Sequence, residues 1–257
     1  MYLRADMQDP WRLVDSGLVE PAESVALDEA ILDCHVAGIV PNTLHLYRRR
    51  VPTISVGYFQ SIGASLRVDE CGKRRVAIVR RKSGGSSIYT DRGQLIYGLV
   101  VRSADVPAGP DEAFRMICTA LANALSHFGV PARYRPLNDV EVEGRKISGS
   151  AQLRRKGSVL VHGTVLVDTD VETMDAVLIV DRTKSPDIPR PSRRIVTLSN
   201  LLATVPDMES VKARVAGEFE KTFGVQFEAG ELTSAEKVAA KKLVDERYSQ
   251  KDWNFRF

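Results

Sequence analysis

Asn138-Asp139-Val140-Glu141-Val142-Glu143-Gly144-Arg145-Lys146-Ile147-Ser148-Gly149-Ser150-Ala151-Gln152 is the most informative stretch of this chain. Val140 to Val142, the Glu143-Gly144 turn and Arg145 onward read as a β-hairpin. A second turn at Lys156-Gly157 leads into a strand over Ser158 to Val167. Val159, Val161, Val165 and Val167 fall on one side of it, with His162 and Thr164 on the other. Asp139 is a candidate to bind magnesium attached to phosphate oxygens. Lys146 is a candidate point charge for a phosphoryl group and an acyl carbonyl. The same residues also suit a surface hairpin with an Asn-Asp turn and a solvated lysine.

A second candidate lies upstream, at Arg80-Arg81-Lys82-Ser83-Gly84-Gly85-Ser86-Ser87-Ile88-Tyr89-Thr90-Asp91. Val76 to Arg80 reads as a buried strand. Gly84 and Gly85 then let backbone N–H groups approach an anion closely. Arg81 adds fork-shaped donors for phosphate or carboxylate. The segment lacks the Lys-Ser/Thr ending of a Walker loop, and a plain turn is the competing reading. In His162-Gly163-Thr164, a mid-strand glycine marks a place where a ligand passes close to the backbone. A lone strand histidine also suits a packed, hydrogen-bonded side chain.

The rest of the pattern is mixed. Glu23 to Ile39 predicts a helix, with Pro21 just before it. Thr43 to Gln60 predicts two strands broken near Arg50 and Pro52, and Leu95 to Val101 a central strand. Asp111 is placed to cap a helix carrying Phe114, Ile117, Leu121, Leu125 and Phe128, which Gly129 ends. Asp207 to Phe223 and Ser234 to Tyr248 predict two more helices, the second opened by a capping box at Thr233 and Glu236. Lys184 to Arg194 holds three prolines and predicts a surface loop. These elements imply a mixed sheet packed by helices rather than regular βαβ units.

Composition sets the outer bounds. The chain has 257 residues, 44% apolar and 27% charged, with a net charge of 36 − 33 = +3. A disordered or fibrous chain is excluded, since that apolar fraction builds a large core. Basic runs at Arg48 to Arg50, Arg74-Arg75, Arg80 to Lys82, Arg154 to Lys156 and Arg193-Arg194 read as solvated strand ends and turns, or as a pocket for a small anion. A nucleic-acid groove would add interleaved aromatics and a larger charge excess. Cys34, Cys71 and Cys118 form no Cys-x-x-Cys unit, so a disulfide scaffold or cysteine zinc site is not expected. Cys118 falls within a predicted helix and Cys71 in a polar loop. With no signal peptide and no run of 18 apolar residues, the expected location is the cytoplasm, without membrane contact.

Taken together, the three motifs resemble the lipoate–protein ligase A family, within the group that includes biotin–protein ligases and octanoyltransferases. Arg80 to Asp91, Asn138 to Gln152 and His162 to Thr164 carry the resemblance. Weaker echoes lie at Ala26 to Glu29 and Pro52 to Gln60. The resemblance implies a mixed α/β (α+β) fold with a large, mainly antiparallel sheet, forming one catalytic domain over 1–257. It implies a ligase. Lipoic acid and ATP with magnesium would give lipoyl-AMP. The acyl group would then pass to a lysine of a lipoyl carrier domain, of the 2-oxo acid dehydrogenase acyltransferase or glycine cleavage H protein kind. Lys146 would be catalytic. Arg81, Gly84, Gly85, Ser86, Asn138 and Asp139 would hold the adenylate. Val76, Val79, Ile147, Gly149, His162, Gly163 and Thr164 would line the acyl slot.

The sequence departs from the family pattern at Ser86, Ser87, Thr90 and Gln94, where glycine, alanine, histidine and asparagine are usual. The chain stops at Trp253-Asn254-Phe255-Arg256-Phe257, without the accessory domain of the long family form. By resemblance, adenylation would call on a separate accessory subunit. An alternative is an octanoyl or lipoyl transferase that uses a cysteine thioester. Its cysteine would lie shortly before the Gly-x-Lys segment, where this chain has Tyr134 to Asp139 and none. A further alternative is a non-catalytic lipoate- or adenylate-binding protein.

Overall fold

A computed structural model describes residues 10–180, 187 and 189–257. Its elements run Trp11–Val19 (β1), Pro21–Val36 (α1), Thr43–Arg49 (β2), Thr53–Val56 (β3), Ile62–Ser65 (α2), Val68–Lys73 (α3), Ala77–Arg80 (β4), Ile88–Thr90 (β5) and Gln94–Arg102 (β6). There follow Pro110–Ser126 (α4), Arg133–Arg135 (β7), Asp139–Val142 (β8), Arg145–Arg155 (β9), Ser158–Leu166 (β10) and Val171–Val177 (α5). Leu198–Leu201 (α6), Met208–Phe223 (α7), Phe227–Gly230 (β11), Ser234–Leu243 (α8) and Lys251–Asn254 (α9) complete the chain.

Eight strands form one sheet in the order β11-β1-β2-β6-β10-β9-β8-β7. β1 pairs in parallel with β11 and β2, and every other pairing in this sheet is antiparallel. A smaller sheet has the order β4-β3-β5. One face of the large sheet packs on α4 and α7. Ile117, Leu121, Leu125, Val215 and Phe219 meet Leu95, Tyr97, Leu99, Val159, Val161 and Val165 there. Each such side chain contributes about 1.5–3 kcal/mol by leaving water. The other face carries α1, whose Val25, Ala26, Leu27 and Ala30 pack with Val79, Ile96 and, from α8, Ala240. No helix among the described residues is long and apolar enough to cross a membrane.

Several expectations need correction. α1 begins at Pro21, whose absent N–H suits the first turn, and it ends at Val36. Gly109, not Asp111, is the N-cap of α4, because Pro110 already fixes the helical φ of the first position. Gly129 does adopt a left-handed φ of 77° beyond the helix end. The helix expected over Ser234 to Tyr248 is α-helical to Leu243 and then a π turn. Neither β1 nor β11 was expected, since a bulge at Asp15/Gly17 breaks the alternation of β1. Cys71 is buried on α3 rather than placed in a polar loop. Arg49, Arg80 and Arg81 are not solvated strand ends but buried side chains. Of the proline-rich stretch, Lys184 to Pro186 and Ile188 lie outside the described residues, while Pro191–Arg194 form a 3-10 turn.

Candidate active site

The β9–β10 hairpin organises the site through its alternation. Gly149 pairs with Thr164, Ala151 with His162 and Leu153 with Leu160, so these six residues share one face. Lys146 joins that face by bending over it. A Cβ at Gly149 would lie 2.1 Å from Lys146 Nζ, so the glycine leaves the space the ammonium crosses. Asp139, at the start of β8, holds the ammonium from beside it, with Oδ1 at 2.7 Å from Nζ. Arg135 takes the other oxygen of Asp139 at 2.6 Å. Asn138 fixes the entry to β8: its carbonyl accepts from Ser150 N–H at 2.9 Å, and its side-chain amide donates to the Ser150 carbonyl.

The opposite face belongs to the core. Ile147 is fully buried among the α4 and α7 side chains. At Gly163 a Cβ would meet the Gly149 carbonyl at 2.4 Å and the Tyr97 ring at 2.9 Å. That glycine therefore serves strand packing, not close approach of a ligand. Val76 and Val79 are likewise buried within apolar clusters of the small sheet and α1. Of the expected acyl-binding residues, Gly149, His162 and Thr164 share the face that Lys146 crosses, while Ile147 and Gly163 do not.

The glycine loop is built on buried arginines. Arg81 Nη1 donates to the Ser55 carbonyl at 2.7 Å. Nη2 donates to the carbonyls of Gly84 at 2.7 Å and Ser86 at 2.8 Å, and Nε donates to Ser83 Oγ at 3.1 Å. Arg81 thus shapes the loop from behind instead of reaching out as a free fork. Tyr58 N–H takes the Ser83 carbonyl at 3.0 Å. With these carbonyls turned inward, no described residue accepts from the N–H groups of Gly84, Gly85 or Ser86. Gly85 has a φ of 92°, and a Cβ on Gly57 would fall 1.9 Å from the Gly85 carbonyl oxygen. Burial, with Arg49 nearby, lowers Arg81 to about 10. Burial and Arg256 lower Arg80. Both stay cationic at neutral pH. No carboxylate among the described residues pairs with either, so the loop is a positive site with N–H groups to offer.

Loop and hairpin meet at a narrow cleft. Val25, Leu153 and Leu160 supply its apolar wall, and Asp28, Ser83 and His162 its polar one. Asp28 is buried on α1, where Gly98 leaves it room: a Cβ there would lie 2.8 Å from Oδ1. His45 Nδ1 lies 3.1 Å from Oδ1, and His162 Nδ1 lies 3.2 Å from Oδ2. The Tyr47 hydroxyl donates to Oδ2 at 3.1 Å. Burial pushes Asp28 up, but the hydrogen bonds from His162 and His45 outweigh it and hold the carboxyl well below its usual range. The ionised Asp28 places the proton of His162 on Nδ1. Nε2 is then the acceptor for the Ser83 hydroxyl at 2.7 Å. The sequence reading gave no role to His45 or Tyr47 and noted Asp28 only within the Ala26 to Glu29 echo. The usable signal was the Asp28-Glu29 pair in the middle of a helix, flanked by Leu27 and Ala30.

Asp139, the expected magnesium ligand, has its carboxylate paired with Lys146 and Arg135, and no cluster of three acidic, histidine or cysteine side chains exists among the described residues. A magnesium ion carried on phosphate oxygens would call on only one or two carboxylates, so Asp139 is the residue that would meet it. The thiols are uninviting. Cys118 lies on α4 beneath the sheet, its Sγ 3.6 Å from Ser150 Oγ, and burial pushes it up to about 11. Cys34 and Cys71 are buried and raised by burial too, and none of the three lines the cleft.

Residues 20–220 match the lipoyl protein ligase A/B catalytic domain. The chain belongs to this family. An octanoyltransferase LipM of Halalkalibacterium halodurans is 32% identical over 275 residues, spanning 96% of this chain and 99% of that protein. Octanoyltransferase LipM of Kyrpidia tusciae is 33% identical, spanning 96% and 98%. Among solved structures, an archaeal bi-partite lipoate protein ligase with its E2 lipoyl domain, from Thermoplasma acidophilum, has a TM-score of 0.83 at 29% identity and covers 96% of this chain and 97% of that one. A lipoate–protein ligase A bound with ATP has a TM-score of 0.82 at 28% identity, covering 96% and 99%. The chain is therefore a lipoyl protein ligase A/B-type catalytic domain, with the mixed, mainly antiparallel fold that the resemblance implied.

Proposed function

We propose that this protein transfers a lipoyl or octanoyl group to the lysine of a lipoyl carrier domain, directly from a donor that arrives activated. The observation that carries this reading is the burial of every thiol, none of which lines the cleft. Lys146 Nζ lies on the slot face of β9, and Cys118 lies under the other face. A thioester on the enzyme has no accessible sulfur to form on, and a raised thiol pKa makes a poor nucleophile.

The geometry suits direct aminolysis. The acyl chain lies along the face of β9, from Gly149 past Ala151 to Leu153 and the cleft. That distance is about 13 Å of strand, enough for an extended octanoyl or lipoyl chain. The carrier amine attacks the acyl carbonyl, a C–N bond forms, and the bond to the leaving group breaks. Lys146, steadied by Asp139, stabilises the negative charge that develops on the carbonyl oxygen and leaving group. The glycine loop holds the anionic portion of the donor through the N–H groups of Gly84 to Ser86. Positioning and charge stabilisation supply the rate, without a protein nucleophile.

The missing thiol favours an acyl-adenylate as that donor, made from lipoate and ATP, and the ATP-bound neighbour supports it. The name of the whole-length relatives supports a second reading, in which the donor is an octanoyl thioester. Mass spectrometry of a lipoyl carrier domain decides between them. The carrier is incubated with this protein and lipoyl-AMP, or lipoate with ATP and magnesium, or octanoyl carrier protein. Modification by lipoyl-AMP is expected. Modification by ATP and lipoate would add self-sufficient adenylation. Modification by the octanoyl donor alone would establish the second reading, and no modification by any donor would leave a binding protein.

A further inference from the structure

We infer that the C-terminal segment around Trp253 and Asn254 is a positioning strap for the glycine loop, acting through Arg80. This inference rests on the role proposed for that loop. β4 is an edge strand, paired among the described residues with β3 alone, so one side of its backbone needs partners from elsewhere. The tail supplies them with side chains. Asn254 Oδ1 accepts from the Arg80 N–H at 2.9 Å, and Trp253 Nε1 donates to the Arg80 carbonyl at 2.9 Å. Two side chains thus do what a neighbouring strand would do, across more than 170 residues of sequence.

The Arg80 side chain closes the connection. It is fully buried, and its guanidinium donates to the carbonyls of Gly57, Tyr58, Gln60 and Arg256 at 2.6–3.1 Å. The Arg256 contact belongs to the tail, and the other three to the turn that packs against the loop. Gly57 abuts Gly85, and Tyr58 N–H holds the Ser83 carbonyl. Ile62 N–H takes the Phe257 carbonyl at 3.3 Å, so the tail also reaches the far end of that turn. Lys82, on the cleft wall, places Nζ 5.3 Å from the centre of the Trp253 ring, a cation–π contact. Fixing Arg80 on both its backbone and its side chain fixes the start of the loop. Arg81 then sets the rest. None of these tail residues touches the acyl slot, so their effect falls on donor binding and not on the chemical step.

Asn254→Ala and Trp253→Phe test this. Hydrogen exchange is measured well below the melting temperature on peptides carrying the Tyr58 and Arg81 N–H groups, which are bonded to the Ser83 and Val56 carbonyls. Faster exchange of these amides is expected in both variants, with the β9–β10 hairpin unchanged. Unchanged exchange at both amides in both variants overturns the strap, whatever the catalytic result. Steady-state transfer gives the second readout: an increase of about tenfold in donor KM, the scale of one lost buried hydrogen bond, with kcat and carrier KM held. A fall in kcat alone, through a smaller folded fraction, would also overturn it. Failure of the wild-type protein to transfer from any donor would count against the proposed function and leave the exchange result standing.

Discussion

Lys146 is held by contacts that have little to do with stability. Its ammonium is partly exposed, paired with Asp139, and drawn across the bare backbone of Gly149. Lys146→Ala should therefore lower acyl transfer at least about 100-fold, in line with removal of one transition-state donor, while the melting temperature stays close to wild type. Lys146→Arg should not restore the rate, because a planar fork cannot occupy the space of a point charge beside Gly149. Transfer assays beside thermal melts of the same preparations check both. Gly149→Ala approaches the site from the other side. Its Cβ would overlap the ammonium position, so the lysine must move off Asp139, and transfer should fall in a protein that still folds. The thiols give a further expectation at this scale. All three are buried and raised above their ordinary value by burial, so native protein should resist iodoacetamide at pH 8 and Cys118→Ala should keep its transfer rate. Rapid alkylation of Cys118 with loss of activity would restore an enzyme thioester.

The loop between β4 and β5 works as an element because its carbonyls are claimed from behind. The crossing at Gly57 is its tightest point. Gly57→Ala would put a methyl group into the Gly85 carbonyl, a backbone atom that can escape only if the loop shifts. Donor KM should rise about tenfold or more with carrier KM unchanged, measured by varying each substrate in turn. This element also shows what could and could not be read from sequence. The Gly84-Gly85 pair and the hairpin at Glu143-Gly144 were legible, because turn chemistry is local. The face on which each residue lies was legible for His162 and Thr164, since a strand alternates with period two. It was misread for Ile147 and Gly163 because their partners, Val196 and Tyr97 among others, belong to distant elements. Arg81 read as a fork reaching out to an anion, whereas it is spent on the loop's own carbonyls. Nothing local discloses that Asn254, Trp253 and Arg256 arrive to hold Arg80, or that Asp28 collects two histidines and a tyrosine from two strands.

Across the whole molecule, the two faces of the large sheet divide the work. α4 and α7 cover a face that is mainly apolar core, while α1 covers the face that carries Asp28, the cleft and the slot. That second layer is held from outside by α8, and α8 is tied to the sheet by a buried ion pair. Glu236 accepts from Arg12 of β1, Nη2 at 2.5 Å and Nη1 at 3.0 Å, and from Thr233 in its capping box. Burial pushes the Glu236 carboxyl up, but these bonds outweigh it and hold it below its ordinary value. A carboxyl whose folded value is depressed stabilises the fold above the unfolded value of about 4.3, and that contribution is lost as pH falls through the folded value. Glu236→Gln leaves the Arg12 charge buried without its partner, which costs about 3–5 kcal/mol. The difference between wild type and variant in urea unfolding should be full at pH 7 and should shrink below about pH 4, where protonation removes the same charge from the wild type. A difference that persists unchanged into acid would mean that the carboxylate charge does not carry the clasp, and that α8 is held on α1 by its apolar contacts alone.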